Sequence, residues 1–203
     1  MSLSGQVFAQ DRPRVAPWVF ELKGGQFKPD LDLYEDFYGS DKVNYFAAAL
    51  AYRPSDWYEF GGELGYMHDS GVGLLETNQT LGGSVKYKLM PVSLFANIFG
   101  RFSPGQWVVP YIGAGLTMAY YKQDVESQPD RSGRADLGYN VRGGLQLLVN
   151  GLDRGTAKRA ARGGLMNTYL FVEGQYFSTE VDSIDLGGVT YLLGLRLEFD
   201  FSQ

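Results

Sequence analysis

The sequence predicts an all-β fold, an eight-stranded antiparallel up-and-down transmembrane β-barrel, and three observations carry that prediction. Residues 187 to 201 alternate: Val189, Tyr191, Leu193, Leu195, Leu197, Phe199 and Phe201 fall on one face, Thr190, Gly194, Arg196, Glu198 and Asp200 on the other. This period-2 stretch is about twice the usual strand length, and its apolar face is too broad to leave in water. Several further stretches repeat the alternation at similar length, the pattern of strands with lipid outside and a polar interior. The connections between them are mostly short on one side and mostly long on the other, as a spanning barrel with short periplasmic turns and longer outer loops requires.

Each element can be read in order. The first strand, about 16 to 27, sets Trp18, Phe20 and Leu22 outward against Val19, Glu21 and Lys23, and an acidic loop with several aromatics follows to residue 42. The second, about 43 to 53, alternates Phe46, Ala48, Leu50 and Tyr52 with Tyr45, Ala47, Ala49, Ala51 and Arg53. Pro54-Ser55-Asp56 is a turn triplet, so the third strand, about 57 to 68, is its antiparallel neighbour, with Phe60, Leu64 and Tyr66 outward and Glu59, Glu63 and Met67 inward. The fourth runs from Leu81 to Phe102. Its apolar residues sit on odd positions up to Leu89 and on even ones from Val92, so the phase change predicts a bulge or bend at Met90-Pro91, where proline cannot donate to the ladder.

After the turn at Ser103-Pro104-Gly105, the fifth strand, about 107 to 122, carries Ile112, Ala114, Leu116, Met118 and Tyr120 outward over Tyr111, Gly113, Gly115 and Thr117. Residues 124 to 136 read as a hydrophilic loop. The sixth strand, 137 to 149, alternates Leu137, Tyr139, Val141, Leu145, Leu147 and Val149 with Asn140, Arg142, Gly144 and Gln146. The seventh, 168 to 179, sets Leu170, Val172 and Tyr176 against Tyr169, Phe171, Glu173 and Gln175, and the eighth is the stretch at 187 to 201.

Composition narrows the function classes. Cysteine is absent, which excludes a disulfide scaffold and thiolate metal sites; no cofactor is expected. A net charge of -5 with no dominant basic face argues against nucleic acid as a partner. No apolar run is long enough for a membrane-spanning helix, and the mean hydropathy of -0.19 suits a barrel, whose strands offer only alternate residues to lipid. Two segments stand outside the pattern. Residues 1 to 15 are an unstructured N-terminal segment in which Val7-Phe8-Ala9 reads either as the small-residue end of a secretory signal or as a frayed start. An insertion at about 150 to 167 carries Arg154, Lys158, Arg159 and Arg162 against Asp153, and reads as a solvated segment or a short basic helix near headgroups. The barrel proper is 16 to 201.

The inward charges are the first candidate site. Lys23, Arg53, Arg101, Arg142 and Arg196 face Glu21, Glu63, Glu173, Glu198 and Asp200, a near balance of signs in a tube just wide enough for side chains to fill. They read as a pairing network, with an ion path as the alternative. Tyr45, Met67, Phe95, Phe99 and Tyr111 lie beside small inward residues such as Ala47, Gly61, Gly65 and Gly113, and form a candidate apolar ligand pocket unless the rings simply fill the room the glycines leave. Catalytic groups are few. His68, the single histidine, with Ser70 and Glu76 could assemble the Ser-His-acid site of a lipid-modifying enzyme at the outer surface, but His68 also reads as an interfacial strand-end residue, and a non-enzymatic protein is expected.

Lys88-Leu-Met-Pro-Val-Ser-Leu-Phe-Ala-Asn-Ile-Phe-Gly-Arg-Phe102 followed by Val109-Pro-Tyr-Ile-Gly-Ala-Gly-Leu116 resembles the OmpW-type branch of the small outer-membrane barrels, and the Pro-Tyr-x-Gly-Ala-Gly piece is shared with OmpA-like barrels. The resemblance implies an eight-stranded barrel in a Gram-negative outer membrane, both termini periplasmic. Its interior would bind or pass small hydrophobic or amphipathic molecules; the alternative is a structural or anchoring protein acting through its extracellular loops. Implied partners are membrane lipid, lipopolysaccharide, a small apolar ligand and the barrel-assembly machinery. The chain departs from that family in its basic insertion and in continuing to Ser202-Gln203 past the terminal aromatic.

The alternation in the last strand makes a direct prediction. Leu195→Arg on the lipid face is expected to oppose folding into vesicles by about 2 to 4 kcal/mol near the bilayer midplane, while a polar change at inward Thr190 leaves insertion nearly unchanged. Reversible unfolding of each variant in lipid vesicles reads the difference, and the reverse ranking would invert inside and outside.

Overall fold

A computed structural model describes residues 16–29, 42–74, 81–103, 105–125, 131–149, 164–181, 184–185 and 187–201, and among them all regular structure is β-strand. The wall is built from β1 (Trp18–Pro29), β2 (Val43–Tyr52), β3 (Tyr58–Leu74), β4 (Leu81–Phe99) and β5 (Val108–Val125), then β7 (Gly138–Leu148), β8 (Leu165–Ser178) and β11 (Gly188–Phe199). Each pairs antiparallel with its chain neighbour, and β1 pairs with β11, from Trp18↔Phe199 to Pro29↔Gly188, closing the ring. The eight-stranded up-and-down barrel is therefore the architecture. The first residues of β1 and the last of β11 lie at one end with the last residues of β2, β4 and β7, called the turn end below; the last residues of β1, β3, β5 and β8 lie at the other, the loop end.

Period-2 alternation becomes a wall with two surfaces. Leu50, Phe60, Leu94, Ile112, Leu145, Val172 and Leu193 are exposed on the outside, while Val19, Glu59, Asn140 and Glu198 are buried within. Two aromatic girdles bound the apolar band. Trp18, Tyr52, Trp57, Tyr58, Trp107 and Phe201 are exposed at the turn end, and Tyr66, Tyr120, Tyr139 and Tyr191 toward the loop end. Amphipathic rings settle where hydrocarbon meets headgroups, so the span between the girdles is the membrane-crossing band.

Four expectations about connections and strand phase change. The bend at Met90-Pro91 is absent: the β4–β5 register runs unbroken through Met90↔Tyr120 and Pro91↔Ala119. Odd positions face inward on both sides of it, because the interior itself changes character. Leu89 joins an apolar cluster at the loop end, whereas Ser93 and Asn97 belong to polar layers nearer the turn end. Irregularities occur instead between Val72 and Leu74 and between Glu198 and Phe199. The hydrophilic loop at 124 to 136 is partly strand: β5 continues to Val125, and β6 (Arg131–Arg134) folds back on it from Tyr120↔Arg134 to Gln123↔Arg131. A small hairpin of β9 (Glu180–Val181) and β10 (Ile184–Asp185) stands between β8 and β11. Finally, Leu165 to Asn167 belong to β8, so the insertion is shorter than 150 to 167; residues 150 to 163, like 1 to 15, lie outside the described residues.

The wall is closest where glycine replaces a side chain. A Cβ on Gly25 would fall on the backbone carbonyl of Tyr191 in β11, whereas one on outward Gly174 would meet nothing within 4 Å. Gly25→Ala is expected to destabilise the barrel by about 1 to 3 kcal/mol, the usual cost of overpacking. Gly174→Ala should stay within about 0.5 kcal/mol of the parent. Urea titration in vesicles compares them, and equal stabilities would contradict the close approach of β1 to β11. Thr190 is fully buried, so the tolerance expected there holds only for residues of its own size.

Candidate functional site: an ion-paired interior

Inward charges from opposite walls meet in two layers. In the middle of the barrel, Lys23 Nζ lies 2.6 Å from Glu63 Oε2 and 2.5 Å from Glu173 Oε1, and Arg142 Nη1 lies 2.7 Å from Glu63 Oε2. Tyr45 Oη donates to Glu63 Oε1 at 3.1 Å and Tyr111 Oη to Glu173 Oε2 at 2.8 Å. Arg142 also donates to Asn140 Oδ1 at 3.1 Å, Asn140 Nδ2 donates to Thr117 Oγ1 at 2.9 Å, and Ser93 Oγ bonds that hydroxyl at 2.8 Å. The Arg142 guanidinium stacks over the Phe95 ring at 4.2 Å. Seven of the eight wall strands contribute a side chain to this one connected layer.

The second layer is nearer the turn end and centres on Arg196. Its guanidinium pairs with Glu21 at 2.7 Å, with Glu59 at 2.5 Å and with Glu198 at 3.2 Å. Arg53 and Arg101 both reach Glu198 Oε1, at 2.5 and 2.8 Å, and Asn167 Nδ2 donates to its other oxygen at 2.9 Å. Asn97 Nδ2 donates to Glu59 at 2.9 Å, and Phe99 lies under Arg196 at 4.8 Å. In these pairs five cations, Lys23, Arg53, Arg101, Arg142 and Arg196, meet five carboxylates, Glu21, Glu59, Glu63, Glu173 and Glu198. Burying a charge without a partner is prohibitive, so the balance is what allows a charged interior to exist.

Glu59 joins the charge set although only its inward phase is legible in the sequence. That it would meet Arg196, 137 residues away, depends on closure and strand stagger, which period-2 alternation does not encode.

The five candidate ligand residues are not brought together. Tyr45 and Met67 belong to the apolar loop-end cluster with Phe27, Val43, Leu89, Phe177 and Leu192. Phe95 packs with Val19, Ala49 and Ala51. Phe99 packs with Val109 and Tyr169, and Tyr111 leans on that group with ring centroids 5.6 Å apart. The rings occupy the room that glycines leave: a Cβ on Gly65 would strike Tyr45, and one on Gly144 would strike Tyr111. A vestibule of about 310 Å³ opens at the turn end, lined by Trp57, Phe102, Arg53, Arg101, Asn167 and Tyr169, so its floor is the Glu198 layer.

Of the His68, Ser70 and Glu76 set, two residues lie on β3. His68 is exposed on the outer face of β3 with Lys88 of β4 as its register partner, Ser70 pairs with Lys86, and Glu76 lies outside the described residues. Among the described residues no cluster of His, Asp or Glu is placed to hold a metal ion.

No family model matches this chain, and no curated protein sequence does. Its fold is similar to several solved outer-membrane proteins. The Neisserial surface protein A is 17% identical at a TM-score of 0.59, the match covering 90% of this chain and 97% of that one. Pseudomonas aeruginosa OprG is 13% identical at 0.57, covering 92% and 99%. Yersinia pestis Ail is 14% identical at 0.51, covering 90% and 99%. The fold is thus that of the small outer-membrane β-barrels.

The Arg196 layer predicts a specific pattern of stability. Arg196→Met strands carboxylates in the interior and is expected to cost about 3 to 5 kcal/mol. Adding Glu59→Gln should recover part of that loss, since Glu198 keeps Arg53 and Arg101. Tryptophan fluorescence during urea unfolding in vesicles reads both variants, and a double variant no better than the single would mean that Arg196 and Glu59 do not act as a pair.

Proposed function

We propose that this chain is a sealed outer-membrane barrel of a Gram-negative bacterium, both termini periplasmic, that acts through its exterior and its loops as an anchoring or structural protein. The observation that carries this reading is the interior itself. Lys23, Glu63, Arg142 and Glu173 link the walls at mid-depth with side chains at most 1% exposed, and Arg196 with Glu59 and Glu198 does so again below. A permeant molecule would have to break buried ion pairs, each of which costs several kcal/mol to leave unmade. Between β1 and β2 the sequence from Asp30 to Asp41 is acidic and aromatic, a composition suited to contacts with a partner. Two proteins of similar fold are named for such a role, a surface protein and an attachment invasion locus protein.

A second reading, a site for a small apolar molecule, is favoured by one feature: the loop-end part of the interior is apolar, built from Phe27, Val43, Met67, Leu89, Phe177 and Leu192. These side chains are at most 5% exposed and already fill one another's space, which is why the sealed scaffold is preferred.

Reconstitution into planar bilayers discriminates the two. The sealed scaffold should show no discrete conductance steps and no uptake of hydrophobic fluorophores into proteoliposomes. Glu63→Ala, which removes the carboxylate shared by Lys23 and Arg142, should admit small ions if the variant still inserts. Steady single-channel currents from the parent protein would overturn this proposal.

A further inference from the structure

The outer surface carries a feature that the sealed interior does not use. In the register His68 is paired with Lys88, and Lys88 with Lys122, so three basic side chains occupy consecutive positions across β3, β4 and β5. All three face outward: their even-numbered neighbours Tyr66, Met90 and Tyr120 are exposed, while odd-numbered Met67 and Leu89 are buried inside. Arg134 of β6, also exposed, pairs with Tyr120 and so sits diagonal to Lys122. Lys28 of β1 and Lys42, just before β2, are exposed as well, two residues beyond outward Gln26 and Asn44. Of these basic residues, His68, Lys88 and Lys122 stand in one register row across three adjacent strands.

Height identifies what they meet. Tyr66 and Tyr120 belong to the loop-end girdle, and His68 and Lys122 follow them by two residues on the same face, about 7 Å farther along the strand. That is the step from the aromatic interface to the headgroup region. Neighbouring strands lie about 4.8 Å apart, so the ammonium groups of Lys88 and Lys122 can close on one tetrahedral anion, with the imidazole of His68 beside it. An anion held between two opposed ammonium groups accepts charge-assisted hydrogen bonds from both. Lys88 is half-buried, so part of its stem lies along the wall and its reach is limited to this spot.

We propose that His68, Lys88 and Lys122, flanked by Arg134, form a binding site for the phosphate of a lipid headgroup in the leaflet at the loop end. The site rests on the membrane-spanning reading and adds a preferred lipid to it. A phosphomonoester lipid should bind in preference to a zwitterionic one, because its phosphate has no cation of its own nearby.

The test uses the full chain in phosphatidylcholine vesicles with a minor fraction of phosphatidic acid, and measures the selectivity of spin-labelled phosphatidic acid over phosphatidylcholine for the protein boundary. The parent should prefer phosphatidic acid, and Lys88→Gln and Lys122→Gln should each lower that preference about fivefold. Lys158→Gln with Arg159→Gln, which removes two charges from the sequence between β7 and β8, should leave it unchanged. Free inorganic phosphate at equal concentration should not compete. No preference in the parent, an equal loss in the insertion variant, or full competition by inorganic phosphate would each overturn the proposal. Strand content by circular dichroism is recorded for every sample: failure to fold in vesicles counts against the barrel reading, while folding without selectivity counts against this site alone.

Discussion

Closure of the ring is the constraint from which the rest of the structure follows. In hydrocarbon no water is available to satisfy a peptide group, so a sheet can cross a membrane only when its first and last strands pair. Here β1 and β11 do so along twelve register positions, from Trp18↔Phe199 to Pro29↔Gly188. Eight strands then enclose a space that side chains can fill. Every inward residue must pack against or bond to its counterpart across the lumen, and an inward charge must find its opposite there.

The interior meets that demand differently along its length. Toward the turn end, where Arg53 and Arg101 border a vestibule, the filling is ionic and tied to Glu198. At mid-depth one carboxylate, Glu63, serves both Lys23 and Arg142 and accepts from Tyr45 as well. Toward the loop end the filling is apolar, with Phe27 stacked on Phe177 at 5.0 Å. Tyr45 joins two of these regimes, its ring in the apolar cluster and its hydroxyl on Glu63. Such a gradient gives each strand a depth as well as a face.

That gradient also explains what the sequence made legible. Alternation assigns each residue to a face wherever inside is polar and outside apolar, which is why Trp18, Glu21, Glu63, Arg142 and Arg196 could be placed from the sequence alone. The signal fails where both faces are apolar. Leu192 interrupts the last strand's pattern because it enters the loop-end cluster, and Leu89 does the same in β4, where the shift mimics a bend at Met90-Pro91. Partners across the lumen were illegible for another reason: strand stagger decides which inward residues share a height, as with Glu59 and Arg196. The β6 segment, Arg131 to Arg134, is too short and too polar to announce itself as a strand, and gains its conformation from pairing with the end of β5.

The balance of the lumen ion pairs also divides the work of the sequence. Because those five cations and five carboxylates cancel, the chain's net charge of -5 belongs entirely to residues outside the network. The electrophoretic character of the protein is therefore set separately from its folding interior. Substitutions in the connections between strands can recast the electrical face shown to the surroundings without disturbing a single lumen pair. One part of the sequence answers to the demands of closure, the other to the charge the protein presents.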